Sequence, residues 1–187
     1  MMENNVANYR KMTTLPNGLH VTVRLLNAAD RDGLLSLFTC ATKDDLQYFR
    51  DDVTNRELVS SWAEHMDVNR VIPLIAEVGG RIVGQGTLHR GRGYNRHVAE
   101  VRVFVCREFR GRGVGTALIQ GIIDVAKRIG LHHIFSLPVS SKPQDIRAFE
   151  GMGFRTEGIL HDRFMDAENH TYDMIEMALH LKRESGF

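Results

Sequence analysis

A glycine-rich segment between a predicted strand and a predicted helix constrains the fold more than any other feature. Residues 103–116 read VFVCREFRGRGVGT, so an apolar run ends, three glycines follow at alternate positions, and an apolar helical pattern begins. Glycines let successive backbone N–H groups turn toward one point without a side chain in the way. The helix adds the positive end of its dipole at the same point. The segment therefore predicts an anion-binding site.

Two arginines indicate that the expected anion is a pyrophosphate. Arg110 and Arg112 place two fixed positive charges beside the helix N-terminus, which suits a diphosphate. The loop lacks the Gly-Lys-Ser/Thr ending of a Walker A motif, and its glycines do not follow the G-x-G-x-x-G spacing of dinucleotide-binding folds. The alternative is a purely structural turn, which the paired arginines disfavour.

Strand and helix patterns alternate along the chain. Strands are predicted at about 19–26, 71–78, 81–89, 97–106, 133–139, 155–165 and 171–181, and helices at about 30–38, 55–66, 114–129 and 144–152. Residues 79–80, Gly-Gly, form a tight hairpin turn between two of the strands. This order predicts an α/β (α+β) layer structure, with a mixed, mostly antiparallel sheet of about seven strands flanked by about four helices.

The length of 187 residues suits one domain, and 43% hydrophobic residues can bury a core without metal or disulfides. We expect a loose N-terminal leader over residues 1–16 and a single domain over residues 17–187. The leader lacks the apolar centre of a secretory signal, and no stretch approaches the roughly 20 apolar residues of a membrane span. A cytoplasmic protein without a membrane partner is therefore expected.

Charge and cysteine content argue against nucleic-acid-binding and metal-binding proteins. The net charge of +1, from 24 basic and 23 acidic residues, argues against a nucleic-acid partner. Cys40 and Cys106 are far apart and in no metal-ligand pattern, which predicts two free thiols in a reducing compartment. The nine histidines also lack metal-ligand spacing, so no metal site is expected. The sequence leaves formation of a homodimer open.

Several motifs resemble those of the GNAT superfamily of N-acetyltransferases. RGRGVG at 110–115 fits the Q/R-x-x-G-x-G/A signature of that family, within the context VFVCREF before it and TAL after it. The segments VRLLNAAD, AEVGGRIVGQGTL and IRAFEGMGFRTEGIL resemble further family elements in the right order. The resemblance covers nearly the whole chain. It implies a twisted sheet that splays open between the fourth and fifth predicted strands, with acetyl-CoA in the cleft.

The resemblance also implies which residues would bind acetyl-CoA. Backbone N–H groups of the loop would hold the pyrophosphate, and the strand before it would pair with the pantetheine arm. One amide, that of Phe104 or Val105, would polarise the thioester carbonyl. Phe149 would pack against the pantetheine arm or, alternatively, fill the core. The cofactor-binding candidates are Val103, Phe104, Val105, Arg110, Gly111, Arg112, Gly113, Val114, Gly115, Thr116 and Phe149.

The implied activity is transfer of the acetyl group to a primary amine, which attacks only when neutral and therefore needs a base. Glu100 is the candidate base, because some family members have a glutamate ten residues before the signature; the alternative is that it pairs with Arg102 or a neighbouring strand. Phe149 stands where many members have a tyrosine acid. Water, His161 or Tyr172, a weak candidate acid, would then return the proton to the CoA thiolate.

The acceptor is a small molecule or a protein, and the sequence does not identify it. The region that usually covers the acceptor site in this family is acidic, with Asp44, Asp45, Asp51, Asp52, Glu57, Glu64 and Asp67. A negative rim would attract a cationic amine, although an ordinary solvated helix face explains the charges as well. Tyr48, Phe49 and Trp62 would line the pocket or fill the core. The missing tyrosine keeps a second function open: a non-catalytic acyl-CoA-binding or regulatory domain.

Overall fold

Eight strands and five helices make up the computed structural model, which describes residues 6–181. The strands are β1 (Arg10–Thr14), β2 (His20–Leu25), β3 (Val71–Val78), β4 (Arg81–Arg90), β5 (Val98–Val105), β6 (His133–Ser136), β7 (Arg155–Met165) and β8 (Thr171–His180). The helices are α1 (Arg31–Phe38), α2 (Lys43–Leu46), α3 (Arg56–Glu64), α4 (Val114–Arg128) and α5 (Pro143–Gly151). No helix within the described residues is long and apolar enough to cross a membrane.

All strands lie in one sheet in the order β1-β2-β3-β4-β5-β6-β8-β7. Neighbouring strands are antiparallel except β5 and β6, which run parallel. The predicted fold class, a mixed and mostly antiparallel sheet, is confirmed. The sheet has eight strands where about seven were predicted, and the additional strand is β1.

Strand β1 lies where the sequence predicted a loose leader. Residues 10–14 pair along their whole length with β2, from Arg10 opposite Arg24 to Thr14 opposite His20. Val6, Tyr9 and Leu15, on either side of the strand, are buried. The strand itself reads RKMTT, so its backbone bonds and these flanking side chains, rather than an apolar alternation, hold it in the sheet. Residues 1–5 of the predicted leader lie outside the described residues.

An apolar core covers each face of the sheet. Helix α4 packs on one face, with Leu118 and Ile122 fully buried, as its helical spacing of apolar residues requires. Helices α1 and α3 cover the other face, where Leu34 and Val59 pack around Ile75. Side chains alternate along β5 between these two cores. Ala99 and Val101 belong to the α4 core, which places Glu100, Arg102 and Phe104 on the α1–α3 face.

The sheet opens between β5 and β6. Within the described residues, these strands pair only from Val98 opposite His133 to Glu100 opposite Phe135. Strand β5 then continues to Val105, while β6 ends at Ser136. A cleft therefore begins beside Glu100, between the same two strands from which the family resemblance predicted a splay.

Cys40 and Cys106 are joined as a disulfide, with their Cα atoms 5.8 Å apart. The prediction of two free thiols is therefore wrong. Cys40 follows the end of α1 and Cys106 follows the end of β5, and the packing of α1 on the sheet brings the two ends together. Separation in sequence gave no sign of this proximity.

Candidate active site

One wall of the cleft is the open edge of β5. The other edge of this strand is bonded to β4 from Ala99 to Val105, so the strand is held straight and extended. On the cleft side, residues 101–105 continue beyond the pairing with β6. Backbone groups on an open strand edge can bond to an extended molecule that lies along them. The structure thus places Val103, Phe104 and Val105 along this open edge, and their contact with a cofactor stays a prediction.

The glycine-rich loop joins this edge to helix α4. Gly111 and Gly113 have φ angles of 69° and 91°, a region that side-chain-bearing residues rarely adopt. Gly113 also packs closely, since a Cβ atom there would lie 3.3 Å from Leu15 Cδ1. Because the residue that caps α4 is this glycine, it offers no side chain to the N–H groups of the first helical turn. N–H groups of this kind, here from Val114 to Thr116, can bind an anion together with the helix dipole; that they do so in this protein stays a prediction.

The two loop arginines lie in different surroundings. Arg110 Nε donates to the carbonyl of Val105 at 2.8 Å, its Nη2 lies 2.9 Å from Asp45, and its guanidinium covers the ring of Phe104. Arg112 is exposed, and its guanidinium lies 5.9 Å from the ring centroid of Phe109. The sequence predicted that both guanidinium groups converge on one diphosphate. In the structure, the side chain of Arg110 is held by protein groups and that of Arg112 lies at the surface.

Glu100 lies at the point where the cleft begins, with its side chain only 13% exposed. Arg102 binds it through two hydrogen bonds, from Nε to Oε1 at 3.1 Å and from Nη2 to Oε2 at 2.9 Å. Arg50 Nη2 donates to Oε1 at 2.7 Å. The pairing with Arg102 that the sequence left as an alternative is therefore present, and a second arginine joins it. Arg102 could be noticed from its strand spacing, whereas Arg50, 50 residues away, carried no such signal.

His89 lies opposite Glu100 on the neighbouring strand β4. Its Nε2 is 2.9 Å from Thr87 Oγ1. Burial, with the nearby charge of Arg102, lowers the pKa of His89 to about 4, so its ring is neutral at pH 7. The groups in hydrogen-bond contact at Glu100 are then one carboxylate and two guanidinium groups, and the carboxylate of Asp51 is a further charge near His89.

Residues 42–50, here called the α2 segment, cross over this site. The helix within it begins with a capping box between Thr42 and Asp45. Desolvation opposes ionisation of Asp45, but hydrogen bonds from Thr42 and the charge of Arg110 hold the pKa of this carboxyl below its usual value. The segment reaches three other parts of the cleft: Asp44 lies 3.5 Å from Lys142, Gln47 accepts from the N–H of Ala167, and Tyr48 stacks on Phe164.

Ion pairs involve three of the seven acidic residues that the sequence placed on the rim. Asp45 pairs with Arg110 and Asp44 with Lys142, and both pairs lie in or beside the cleft. Glu64, on α3, pairs with Arg31. The aromatic residues of the region pack together, since the rings of Phe38, Phe49 and Phe104 lie within 6 Å of one another. Trp62 joins the same cluster, whereas Tyr48 lies at the cleft.

The candidate proton donors have other partners. The hydroxyl of Tyr172 donates to Asp166 in the β7–β8 turn at 3.1 Å, and this bond raises the pKa of the tyrosine. His161 lies 3.2 Å from Asp173. Phe149 is buried in the α4 core and contacts the ring of Phe154 edge to face. The core-packing alternative for Phe149 therefore describes its position, and neither polar candidate is free of an acidic neighbour.

One group of side chains in the same turn has the composition of a metal site. Asp166, Glu168 and His170 place their ligand atoms within 4.8 Å of one another. Asp166 Oδ1 accepts from the backbone N–H groups of Glu168 and His170 at 2.9 Å. The turn itself therefore accounts for this arrangement.

Comparisons with known proteins agree with this geometry. The chain is similar to an L-methionine sulfoximine/L-methionine sulfone acetyltransferase of Salmonella typhimurium, 24% identical over 72% of this chain and 80% of that protein. It is also similar to the L-amino acid N-acyltransferase MnaT of Escherichia coli, 21% identical over 72% of this chain and 79% of that protein.

Solved structures share the fold. The GNAT domain of PAT from S. lividans matches with a TM-score of 0.76 at 21% identity, over 93% of this chain and 98% of that one. An acetyltransferase from Salmonella typhimurium solved with its cofactor acetyl-CoA matches with a TM-score of 0.71 at 22% identity, over 89% and 96% of the two chains. The family model described as "Acetyltransferase (GNAT) family" matches residues 34–154, well over half of the sequence. The chain therefore belongs to the GNAT family of acetyltransferases.

Proposed function

We propose that this protein transfers the acetyl group of acetyl-CoA to the primary amine of a small-molecule acceptor, by direct attack in a ternary complex. The observation that carries the proposal is the position of Glu100. Glu100 lies where β5 and β6 separate. From there the open edge of β5 leads to the loop before α4, where the first-turn N–H groups can bind an anion. At the point of separation a carboxylate can lie beside the reactive end of an extended cofactor.

The cleft residues fit acetyl-CoA in three respects. The first-turn N–H groups of α4 suit a diphosphate, and the left-handed backbone at Gly111 and Gly113 keeps side chains away from it. The open edge of β5 suits the amide-containing pantetheine arm. An arm that begins at the loop and runs along β5 toward Glu100 would carry its thioester to the acceptor face.

Each protein group in the cleft has one role in the proposed reaction. Glu100 takes a proton from the acceptor ammonium, and the freed nitrogen lone pair forms a bond to the thioester carbonyl carbon. A backbone N–H of Phe104 or Val105 binds the carbonyl oxygen as negative charge develops on it. The carbon–sulfur bond then breaks, the second proton that the nitrogen loses on becoming an amide passes through water to the CoA thiolate, and Glu100 later releases its proton to solvent. Arg102 stays on Glu100 throughout and fixes the direction of its carboxylate.

The nature of the relatives supports a small acceptor. One is named for acetylating methionine sulfoximine and methionine sulfone, and another for acylating L-amino acids. We also place the reaction in the cytoplasm. In that compartment the Cys40–Cys106 disulfide would respond to the redox state, because the disulfides found in the cytosol are usually transient or redox-sensing.

The second candidate function is a non-catalytic acyl-CoA-binding or regulatory domain. Two observations favour it: Glu100 is bound by two arginines, and Phe149 is buried in the place of the family's tyrosine. This candidate predicts that CoA binds and that no amine is acetylated.

The test is to follow CoA release with a panel of small amines for the wild type and Glu100→Gln. The expected loss of kcat/KM is tenfold or more, about 1.4 kcal/mol of transition-state stabilisation. Glu57→Gln, an exposed change on α3, is the matched control and should retain wild-type rates. CoA affinity measured by calorimetry should be the same for all three proteins. Turnover that survives Glu100→Gln contradicts the role of the base, and CoA binding without any turnover favours the second candidate.

A further inference from the structure

The two arginines on Glu100 differ in how they are held. Arg102 is two residues away on the same strand and makes two hydrogen bonds to the carboxylate. Arg50 belongs to the α2 segment, makes one hydrogen bond to Glu100, and leaves half of its side chain exposed. Arg102 is therefore a fixed partner, whereas Arg50 can leave Glu100 by a change in its own side chain alone.

The charge of the site is poorly matched to an acceptor that is only a cation. His89 is neutral, and two guanidinium groups are in direct contact with the single carboxylate of Glu100, while Asp51 is near His89 and, within the described part of the chain, forms no ion pair with either arginine. A purely cationic amine would approach two positive side chains, and like charges in a partly buried site oppose binding. An acceptor that also carries a carboxylate would supply the missing negative charge. Arginine suits that partner, because its planar guanidinium binds carboxylates through two parallel hydrogen bonds.

We propose that Arg50 binds the carboxylate of the acceptor, and that the acceptor is an α-amino acid or a close analogue of one. The inference rests on the proposed function and deepens it. An α-amino acid carries its ammonium and carboxylate groups on one carbon, so the two groups can contact two protein side chains that are themselves in contact. Arg50 and Glu100 are such a pair, because Nη2 of Arg50 lies 2.7 Å from Oε1 of Glu100.

Binding of the acceptor carboxylate to Arg50 would also free Glu100 to act as the base. In the structure Oε1 of Glu100 accepts hydrogen bonds from both arginines, so an incoming ammonium has to displace one of them. Binding of the acceptor carboxylate draws Arg50 away and gives its place on Oε1 to the ammonium group. The proton then passes from the ammonium nitrogen to Oε1, and the nitrogen lone pair attacks as before. Arg50 keeps its own proton and acts as a specificity-determining residue.

The experiment compares matched acceptors with and without the carboxylate. L-methionine and L-phenylalanine are each paired with the amine left by their decarboxylation, and kcat/KM is measured for the wild type, Arg50→Gln and Arg50→Lys. For the wild type, the amino acid should exceed its amine by tenfold or more, about 1.4 kcal/mol. Arg50→Gln should bring that ratio close to one, mainly through a higher KM for the amino acid. Arg50→Lys should restore part of it, because a lysine keeps the charge but not the paired geometry.

Arg56→Gln is the matched control, since Arg56 is an exposed arginine at the start of α3. It should keep the wild-type ratio, and all variants should bind CoA with wild-type affinity. A ratio that stays above tenfold in Arg50→Gln overturns the proposal, as does a wild type that acetylates amine and amino acid equally well. If the wild type acetylates neither member of either pair but acetylates other amines, the acceptor class is wrong while the proposed acetyl transfer stands. If it acetylates no amine at all, the proposed function fails as well.

Discussion

The carboxylate of Asp45 lies 2.9 Å from the guanidinium of Arg110, so an ion pair joins the α2 segment to the glycine-rich loop. The same carboxylate accepts hydrogen bonds from the backbone N–H and the hydroxyl of Thr42 and thereby caps helix α2. One side chain of the loop is thus tied to the acceptor side of the cleft. A diphosphate that used the guanidinium of Arg110 would have to compete with Asp45 for it.

This competition predicts the effect of Asp45→Asn on cofactor binding. Asparagine can still accept the capping bonds of Thr42, but it no longer carries the charge that holds Arg110. We expect CoA to bind about two- to fivefold more tightly, which corresponds to about 0.4–1 kcal/mol and lies within the range of a partly exposed ion pair. Calorimetric titration with CoA measures the change. Asp44→Asn removes a neighbouring charge that pairs with Lys142 and should leave the affinity within twofold.

An unchanged or weaker affinity in Asp45→Asn would mean that Arg110 stays on Asp45 when CoA binds. The diphosphate would then be held by main-chain amides, with Arg110 serving to position the loop through its bond to the carbonyl of Val105.

Gly113 provides a second prediction, because its backbone conformation and its packing both exclude a side chain. A valine would be forced into φ 91°, and its Cβ would meet Leu15. We expect Gly113→Val to weaken CoA binding at least tenfold, about 1.4 kcal/mol, as the first-turn amides shift. The variant should also lose roughly 1–3 kcal/mol of unfolding free energy, because a non-glycine residue is strained in this region.

Gly151→Ala separates this effect from a general loss of glycine. Gly151 ends α5, and a Cβ there meets no atom within 4 Å. The alanine variant should bind CoA like the wild type. Calorimetry at a temperature well below the unfolding midpoint of Gly113→Val keeps the comparison to folded protein. Retained affinity in a folded Gly113→Val protein would show that the diphosphate does not bind at this loop.

Local patterns predicted the parts of the fold that have strong periodicity. The helical spacing of Leu118 and Ile122 in α4 and the Gly79-Gly80 hairpin each match an element of the structure. Strand β1 and helix α2 were missed for physical reasons. β1 is polar and held mainly by backbone bonds, and α2 has four residues, too few for a helical period to appear.

The candidate site was predictable only as far as it is local in sequence. Glu100 and the loop lie within 20 residues of each other, and the structure places both at one cleft. Arg50 and Asp45 reach the same cleft from a different part of the chain, because helices α1 and α3 fold over the sheet on either side of them. Charge counts along the sequence suggested an acidic rim, whereas in the structure three of those seven acidic side chains are paired with basic groups and Glu100 itself is bound by two arginines.

His89 gives the protein a pH-dependent stability that can be isolated by mutation. Its pKa is about 4 in the folded protein, against 6.5 for an unperturbed histidine. Burial comes first among the causes; the charges of Arg102 and Arg50 add to it, and Glu100 and Asp51 oppose it. Between these two pH values the unfolded chain binds more protons than the folded one. The unfolding free energy contributed by this group is therefore fully present above pH 6.5 and is lost as the pH falls toward 4.

Partial exposure of the ring reduces the size of this effect, so we expect a loss of roughly 2 kcal/mol across that range. The unfolding free energy is measured by denaturant titration at several pH values between 7 and 4, for the wild type and for His89→Gln. The variant should lack the part of the pH dependence that comes from His89. The difference between the two pH dependences isolates the contribution of His89. Equal slopes in the wild type and His89→Gln would mean that the ring becomes protonated at its ordinary pKa. The ring would then be better hydrated than in this structure, because burial is the largest cause of its lowered pKa, and its charge below pH 6.5 would add to that of the two guanidinium groups bound to Glu100.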